Sequence, residues 1–237
     1  MRGEGVPPEA SSQKRTLATA VYDRLRADIL TCALMPGERL RLHQLAEQYD
    51  CGVGALREAL NRLVGDGLVA SEEQRGFSVS TVSRDHLLDL LHMRLLLEEQ
   101  GIRRSIERGG VDWEVGVMSA FHRLSKVNER HPDDPRLLDP EWERYHAAFH
   151  HSLVAGCQSP LLLQMRSAIY AQGDRYRYLY RAYLAGQRDH LTEHRTLMDA
   201  ALQRDADKTV RLIREHLELT VNSLLAHGME GVVVDGS

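Results

Sequence analysis

Apolar residues recur along most of this chain at the spacing of an α-helix. The first helix is predicted by four apolar residues spaced by four, Leu17, Val21, Leu25 and Ile29. It ends before Pro36–Gly37, a pair that favours a turn. Two more amphipathic stretches, residues 43–49 and 55–69, are separated by residues 50–54, which contain two glycines. The pattern therefore predicts a helix followed by a helix, a tight turn and a further helix.

A hairpin and a long helical region follow this unit. Residues 69–83 alternate apolar and polar side chains around Arg75 and Gly76, which predicts a small two-stranded hairpin. After Ser83, a residue type that favours a helix N-cap, helical spacing continues almost to the end of the chain. Five stretches interrupt it, at residues 109–110, 131–135, 159–160, 185–186 and 204–207. We therefore predict a mainly α fold, with an N-terminal winged helix-turn-helix and a C-terminal all-helical bundle.

These patterns divide the chain into four segments. Residues 1–14 lack periodicity and are rich in Gly, Pro, Ser and Glu, which indicates a disordered tail. Residues 15–82 are assigned to the winged helix-turn-helix, residues 84–227 to the helical domain, and residues 228–237 to a flexible tail. With 43% hydrophobic residues, the chain of 237 residues can bury a substantial core.

Composition and charge exclude several classes of protein. No apolar run approaches the ~20 residues needed to cross a bilayer, and the N-terminus lacks the apolar centre of a signal peptide. We therefore expect no membrane partner and a cytoplasmic location. Three cysteines, Cys32, Cys51 and Cys157, have no paired spacing, which disfavours a disulfide framework or a cysteine zinc site. The net charge of -4 argues against non-specific coating of nucleic acid, so DNA recognition has to be local.

The N-terminal unit offers side chains suited to reading DNA. In a winged helix-turn-helix the third helix enters the major groove. Arg57 and Asn61 lie one turn apart on that helix and Arg62 flanks them; Arg can bind guanine and Asn adenine through two hydrogen bonds. Arg75 at the hairpin tip can reach a phosphate or the minor groove, and Gly76 lets the backbone approach closely. Because acidic residues outnumber basic ones by one in residues 15–82, a small helical interaction module is the alternative.

A family resemblance favours DNA binding. The stretch PGERLRLHQLAEQYDCGVGALREALNRLVGDGLV resembles the DNA-binding domain of the GntR family of bacterial transcription regulators, and QRGFSV resembles its wing. The family often has Ser, Thr and Pro where this chain has Gly52, Gly54 and Ala55. The resemblance implies that Arg57 and the wing of this chain contact DNA. It implies a homodimer that binds a double-stranded DNA operator with the symmetry of an inverted repeat.

The C-terminal region is similar to the FCD ligand-binding domain of the FadR branch of that family. The resemblance covers nearly all of residues 84–226. Its marks are MRLLLE, FHHSLVAGCQSPLL, EHRTLMDAALQRD and a late histidine, in this order. It implies a repressor or activator whose operator binding is modulated by a small organic acid held among the C-terminal helices.

Arginine and tyrosine side chains are the candidates for effector contact. Arg94 lies on an apolar helix face, where a partly desolvated guanidinium requires an anion. Glu98, one turn later, can supply it, or a ligand carboxylate can, as the resemblance to carboxylate-sensing FCD domains implies. Arg175 and Tyr176 are secondary candidates. They belong to a stretch in which Tyr and Arg alternate, where an aromatic face is expected to pack and a charged edge, including Arg177, to be solvated.

Histidine spacing predicts a metal site in the helical domain. His146 and His150 are four residues apart and share a helix face, whereas His151 points about 100° away. His194 and His216 each lie eleven residues from Asp205, in the break at 204–207. Two antiparallel helices joined there bring both imidazoles to one level. A single histidine is usually a packing or surface residue, but four at matching depth favour a metal.

The resemblance refines this metal prediction. The family usually has Asp, His, His and His, and His146 stands where Asp is expected. An all-imidazole set favours zinc, nickel or copper over magnesium or calcium, and we expect zinc or nickel. Glu143 or the effector's carboxylate can supply the missing anion, which would make the metal part of the ligand pocket. His190 is the alternative ligand.

A metal-dependent helical-bundle enzyme is the rival hypothesis. Glu143 and His146 form one Glu-x-x-His motif, but a di-iron bundle needs two such motifs and two further glutamates, and we find only one motif. A mononuclear zinc hydrolase would leave residues 15–82 unexplained. A regulator without enzymatic activity accounts for both halves of the chain.

Overall fold

The computed structural model describes residues 16–72, 76–134, 138–179 and 189–227. Helices dominate these ranges, and the only sheet within them is small. In chain order the elements are α1 (Leu17–Leu30), β1 (Arg39–Leu40), α2 (Leu42–Gln48), α3 (Val53–Gly65), β2 (Val69–Glu72), β3 (Gly76–Val79), α4 (Arg84–Arg108), α5 (Val111–Leu124), α6 (Pro140–Ala155), α7 (Pro160–Leu179), α8 (His190–Leu202) and α9 (Ala206–His227). The tails predicted at 1–14 and 228–237 lie outside the described residues.

The N-terminal unit is a winged helix-turn-helix, which confirms the predicted fold. The helices α1, α2 and α3 pack through an apolar cluster that includes the fully buried Leu25, Leu56 and Leu60. The sheet has the order β1-β3-β2, with antiparallel neighbours. The predicted two-stranded hairpin is therefore incomplete, because the two-residue strand β1 pairs with β3 through Arg39 and Leu40. It is too short to produce an alternation in the sequence.

A glycine cap ends α3, which as the DNA-reading helix of a helix-turn-helix is called the recognition helix. Gly67 adopts a left-handed φ of 71°, and the N–H of Leu68 donates to the carbonyl of Leu63. This is the hydrogen bond expected at a glycine-capped helix C-terminus. A Cβ at Gly67 would lie 2.7 Å from the side-chain nitrogen of Gln172 on α7. The absence of a Cβ here leaves room for the Gln172 amide.

The C-terminal region is a helical bundle, as predicted. A buried core of apolar residues joins five of its helices, α4, α5, α6, α8 and α9. Four of the five predicted breaks lie at boundaries between observed helices, and the break at 185–186 lies outside the described residues. None of the helices described is long and apolar enough to cross a membrane.

The helix α7 connects this bundle to the N-terminal unit. The Gln172 amide donates to the carbonyl of Asp66 at the end of α3, at 3.0 Å. The Arg175 guanidinium donates to the carbonyl of Ser80, at 2.9 Å. The Tyr176 hydroxyl lies 3.1 Å from both the backbone nitrogen and the carbonyl oxygen of Ser83. One face of α7 thus holds the linker between the two domains.

Candidate metal centre and DNA interface

Four buried histidines meet between three helices of the bundle. His146 and His150 come from α6, His194 from α8 and His216 from α9. One ring nitrogen from each lies within 4.8 Å of the others. The Nε2 atom of His150 is 3.1 Å from that of His146 and 3.2 Å from that of His194. The structure therefore brings together the four residues that the sequence singled out.

The connection between α8 and α9 explains this convergence. The first of these helices ends at Leu202 and the second begins at Ala206. The chain therefore reverses near Asp205, and His194 and His216 come to the same level, with ring centroids 4.9 Å apart. His151, which points away from the cluster, is exposed. His190 is not part of the four-histidine cluster (His146, His150, His194 and His216) and lies 2.9 Å from Glu129.

Two of the four rings have acceptors that fix their tautomer. His194 Nδ1 contacts the carbonyl of His190, and His216 Nδ1 lies 2.9 Å from a carboxylate oxygen of Glu193. A neutral ring that donates from Nδ1 has its lone pair on Nε2, and in His194 that atom lies 3.2 Å from His150 Nε2 inside the cluster. Metal-binding histidines are usually oriented by an acceptor at the second ring nitrogen in this way.

The other two rings have different surroundings. His146 stacks on Trp142 with ring centroids 4.6 Å apart, and its Nδ1 is 3.4 Å from a guanidinium nitrogen of Arg177. His150 Nδ1 is buried and has no hydrogen-bond partner in the described part of the chain. The cluster is thus asymmetric, and His146 faces a donor where His194 and His216 face acceptors.

Burial favours the neutral form of three of these imidazoles. It lowers the pKa of His146 and of His150 well below the usual value, and neighbouring histidines and arginines lower both further. Burial and the proximity of His216 lower the pKa of His194 to about 3. Neutral imidazole is the form that binds metals, so at neutral pH these three rings carry no charge that would exclude one.

A cavity of about 140 Å³ opens beside the cluster. His146 and His216 form one side of it, and two guanidiniums, those of Arg94 and Arg177, project from α4 and α7. Its remaining lining combines apolar and polar groups with one carboxylate, that of Glu129, which lies against His190; the other residues are Leu138, Trp142, Leu217, Thr220 and Ser223. A mostly apolar pocket with a few converging polar groups is typical of a small-molecule site.

Arg94 lies beside both of its predicted partners, the carboxylate of Glu98 and the cavity where a ligand carboxylate is expected. Its Nε is 3.4 Å from Glu98, which is fully buried, and the Arg94 side chain keeps 15% of its surface exposed. Glu98 makes a closer ion pair with Arg166, whose Nη2 lies 2.8 Å from the same carboxylate oxygen. Because Arg166 also provides Glu98 with a cation, Glu98 does not depend on Arg94 alone, and the Arg94 side chain lines the cavity as well.

The secondary effector candidates lie elsewhere. Arg175 and Tyr176 contact the linker at Ser80 and Ser83, and neither lines the cavity. The next residue on α7 does: Arg177 keeps only 13% of its side chain exposed, so the prediction of a solvated edge is wrong for it. Its hydrogen bond to Asp174, at 3.3 Å, holds it there.

The proposed DNA-contacting residues are only partly free. Arg57 and Asn61 are exposed on α3. Arg62 is exposed too, but its guanidinium lies 4.0 Å from the ring centroid of Tyr22 on α1, which turns it back towards the protein. Gly76 begins β3 with a φ of 84°, and no atom of the residues that the structure describes lies within 4 Å of the position of a Cβ. Arg75 lies outside the described residues.

Fold and site together define a class of protein, in which a winged helix-turn-helix is joined to a helical domain with an internal cavity. Residues 17–79 match the family described as bacterial regulatory proteins, gntR family, and residues 89–219 match the FCD domain. The chain therefore belongs to the GntR family, in the group with an FCD domain, and is a DNA-binding transcriptional regulator. This confirms the resemblance seen in the sequence.

Relatives support the same conclusion. The chain is 37% identical over 222 residues to BphR of Paraburkholderia xenovorans, an uncharacterized HTH-type transcriptional regulator; the match covers 94% of this chain and 91% of BphR. It is 38% identical over 214 residues to the HTH-type transcriptional repressor GlaR of Escherichia coli, covering 89% of this chain and 96% of GlaR. The rival hypothesis of a metal-dependent enzyme finds no support among these relatives.

Solved structures show the same fold. The E. coli protein McbR/YncC superposes with a TM-score of 0.74 at 22% sequence identity, over 89% of this chain and 98% of that one. A putative GntR regulator from Rhodococcus sp. RHA1 superposes with a TM-score of 0.70 at 20% identity, over the same shares of the two chains.

Proposed function

We propose that this regulator binds a small organic acid in the cavity, next to a divalent transition metal held by the four-histidine cluster, and that the acid modulates operator binding. The observation that carries the proposal is the set of four buried imidazoles beside two cavity-lining guanidiniums. A cluster of neutral nitrogen donors suits a cation, and the arginines suit an anion.

The donor set fits zinc or nickel. Zinc sites in proteins commonly have four nitrogen or sulfur ligands, and a set without carboxylates disfavours magnesium and calcium. His194 and His216 are already held in the tautomer that a metal requires. When bound, the metal would supply a positive charge that attracts a carboxylate. His190, which lies against Glu129, remains the alternative ligand.

The helix α7 provides a physical route from the cavity to the DNA-binding unit. Arg177 lines the cavity, whereas Gln172, five residues earlier, donates to the end of α3. A ligand that changes the position of Arg177 therefore acts on the helix that orients the recognition helix. Coupling of this kind needs two arrangements that the ligand distinguishes. A homodimer reading an inverted repeat would respond through the spacing of its two recognition helices, and the name of GlaR supports repression.

Arg94→Ala is expected to remove the effector response while operator affinity stays unchanged. The effector would first be recovered from natively purified protein by denaturation and identified by mass spectrometry. Calorimetry with that acid should then show a large loss of affinity in the variant, because a charge-assisted hydrogen bond is removed. Arg144→Ala, which removes an exposed arginine of α6, is the matched control. Equal affinity of Arg94→Ala and wild type would leave Arg94 as a structural partner of Glu98 alone.

A further inference from the structure

The contact between Arg177 and His146 determines which ring nitrogen of His146 carries the proton. An arginine side chain has only donors, so in this contact at 3.4 Å the Nδ1 atom of His146 must accept. A neutral ring that accepts at Nδ1 carries its proton on Nε2. That proton points at His150, whose Nε2 lies 3.1 Å away inside the cluster.

A metal requires the opposite tautomer of His146. To bind through Nε2, the ring must have its lone pair there and its proton on Nδ1. That proton would then meet the N–H of Arg177, and two donors would face each other. The guanidinium would also place a positive charge close to the cation. His194 and His216 meet neither difficulty, because acceptors already lie at their Nδ1 atoms.

The guanidinium of Arg177 can also bind an anion in the cavity. It lines the same cavity as Arg94, and its hydrogen bond to Asp174 joins it to its own helix. Two guanidiniums from different helices can bind the two ends of a dicarboxylate. A carboxylate that accepts from Nη1, the nitrogen that contacts both Asp174 and His146, therefore competes with His146 for Arg177.

We infer that Arg177 makes metal binding and dicarboxylate binding depend on each other. Without an anion, Arg177 holds His146 in the tautomer that cannot bind a metal, and the cluster binds the cation weakly. A dicarboxylate draws Arg177 into the cavity and frees His146 to complete the metal site. The coupling is reciprocal, so the metal strengthens dicarboxylate binding by the same factor. This inference rests on the proposed function, since it requires the metal site.

Zinc affinity of the full-length, chelator-stripped protein tests the inference. In buffer without organic acids, Arg177→Gln is expected to bind zinc about 10- to 100-fold more tightly than wild type, the size of effect typical of residues around a metal ligand. A glutamine oxygen can accept from His146 Nδ1, whereas Arg177→Lys retains a charged donor and should stay close to wild type. The readout is competition with a chromophoric zinc chelator.

Further variants test whether the gain in zinc affinity comes from the loss of Arg177 itself. Asp174→Asn combined with Arg177→Gln removes both charges, so that the partner carboxylate of Arg177 is not left without a cation; it should show the same gain. Arg144→Gln removes an exposed arginine from α6 and should leave zinc affinity unchanged. Succinate, the dicarboxylate probe, is expected to raise the zinc affinity of wild type and to have no effect on Arg177→Gln.

The possible outcomes distinguish failure of the coupling through Arg177 from failure of the proposed metal site. Equal or weaker zinc binding by Arg177→Gln and by the double variant overturns the inference, as does a wild-type zinc affinity that succinate leaves unchanged. Zinc binding by wild type still upholds the metal site in that case. If wild type and all variants fail to bind zinc, the proposed metal site itself is overturned, and the inference with it.

Discussion

Replacing Arg166 by alanine is expected to destabilise the helical domain by about 3–5 kcal/mol, because the buried carboxylate of Glu98 would keep only its longer, 3.4 Å contact with Arg94. Glu98 is fully buried and Arg166 is 3% exposed, and their side chains approach to 2.8 Å. Arg166 also donates to the backbone carbonyl of His150, so the same change removes support from the four-histidine cluster. Urea unfolding at neutral pH, followed by circular dichroism, measures the loss.

A matched surface pair provides the comparison for Arg166→Ala. Arg144 and Glu141 form an ion pair at 3.2 Å in which both side chains are largely exposed. Arg144→Ala should therefore cost about 1 kcal/mol or less. The double replacement Glu98→Leu with Arg166→Met should recover much of the lost stability, since it removes the uncompensated charge. Similar losses for Arg166→Ala and Arg144→Ala would show that the buried pair contributes no more to the free energy of unfolding than the exposed pair does.

Arg57→Ala is expected to weaken operator binding by about 1–3 kcal/mol per half-site, while leaving the fold intact. Arg57 is exposed on α3, so its removal creates no cavity. Affinity falls because a bidentate hydrogen bond to guanine disappears from the major groove. Fluorescence anisotropy with a DNA fragment from upstream of the regulator's own gene, at fixed salt, measures the affinity.

The same helix supplies the control for Arg57→Ala. Arg62 has the same charge but packs over Tyr22, so Arg62→Ala is expected to cause a smaller loss of operator affinity. Unchanged affinity of Arg57→Ala would remove α3 from the operator interface. An equal loss on a scrambled DNA fragment would show that Arg57 contacts phosphates rather than bases.

The fold was predictable wherever one periodicity dominated the sequence. Apolar residues spaced by four identified α1, and the alternation after Gly67 identified the wing strands β2 and β3. The strand β1 was missed because two residues cannot display a period, and only its pairing with β3 reveals it. Helix starts were less exact: α3 begins at Val53, two residues before the predicted stretch, since glycines weaken the local signal.

Only those site residues that are related by their spacing in the sequence could be predicted. The four histidines were found because two are four residues apart and two are equally distant from one turn. Arg177 was missed because its alternation with tyrosines resembles a solvated edge, and tertiary packing of α7 buries it. The pair of Glu98 and Arg166 spans 68 residues of sequence, so no local pattern connects the two. The placement of Arg175 and Tyr176 against the linker likewise depends on how the two domains pack.

Native mass spectrometry of protein purified without chelators tests the central claim most directly. Wild type and the control His151→Ala, which changes an exposed histidine of α6, should retain a single zinc or nickel ion per chain together with a small organic acid. His194→Ala removes one of the four ligands and should lose the metal and, with it, the acid. The account is contradicted if wild type shows only the mass of the bare chain and adding zinc or nickel gives no thermal stabilisation.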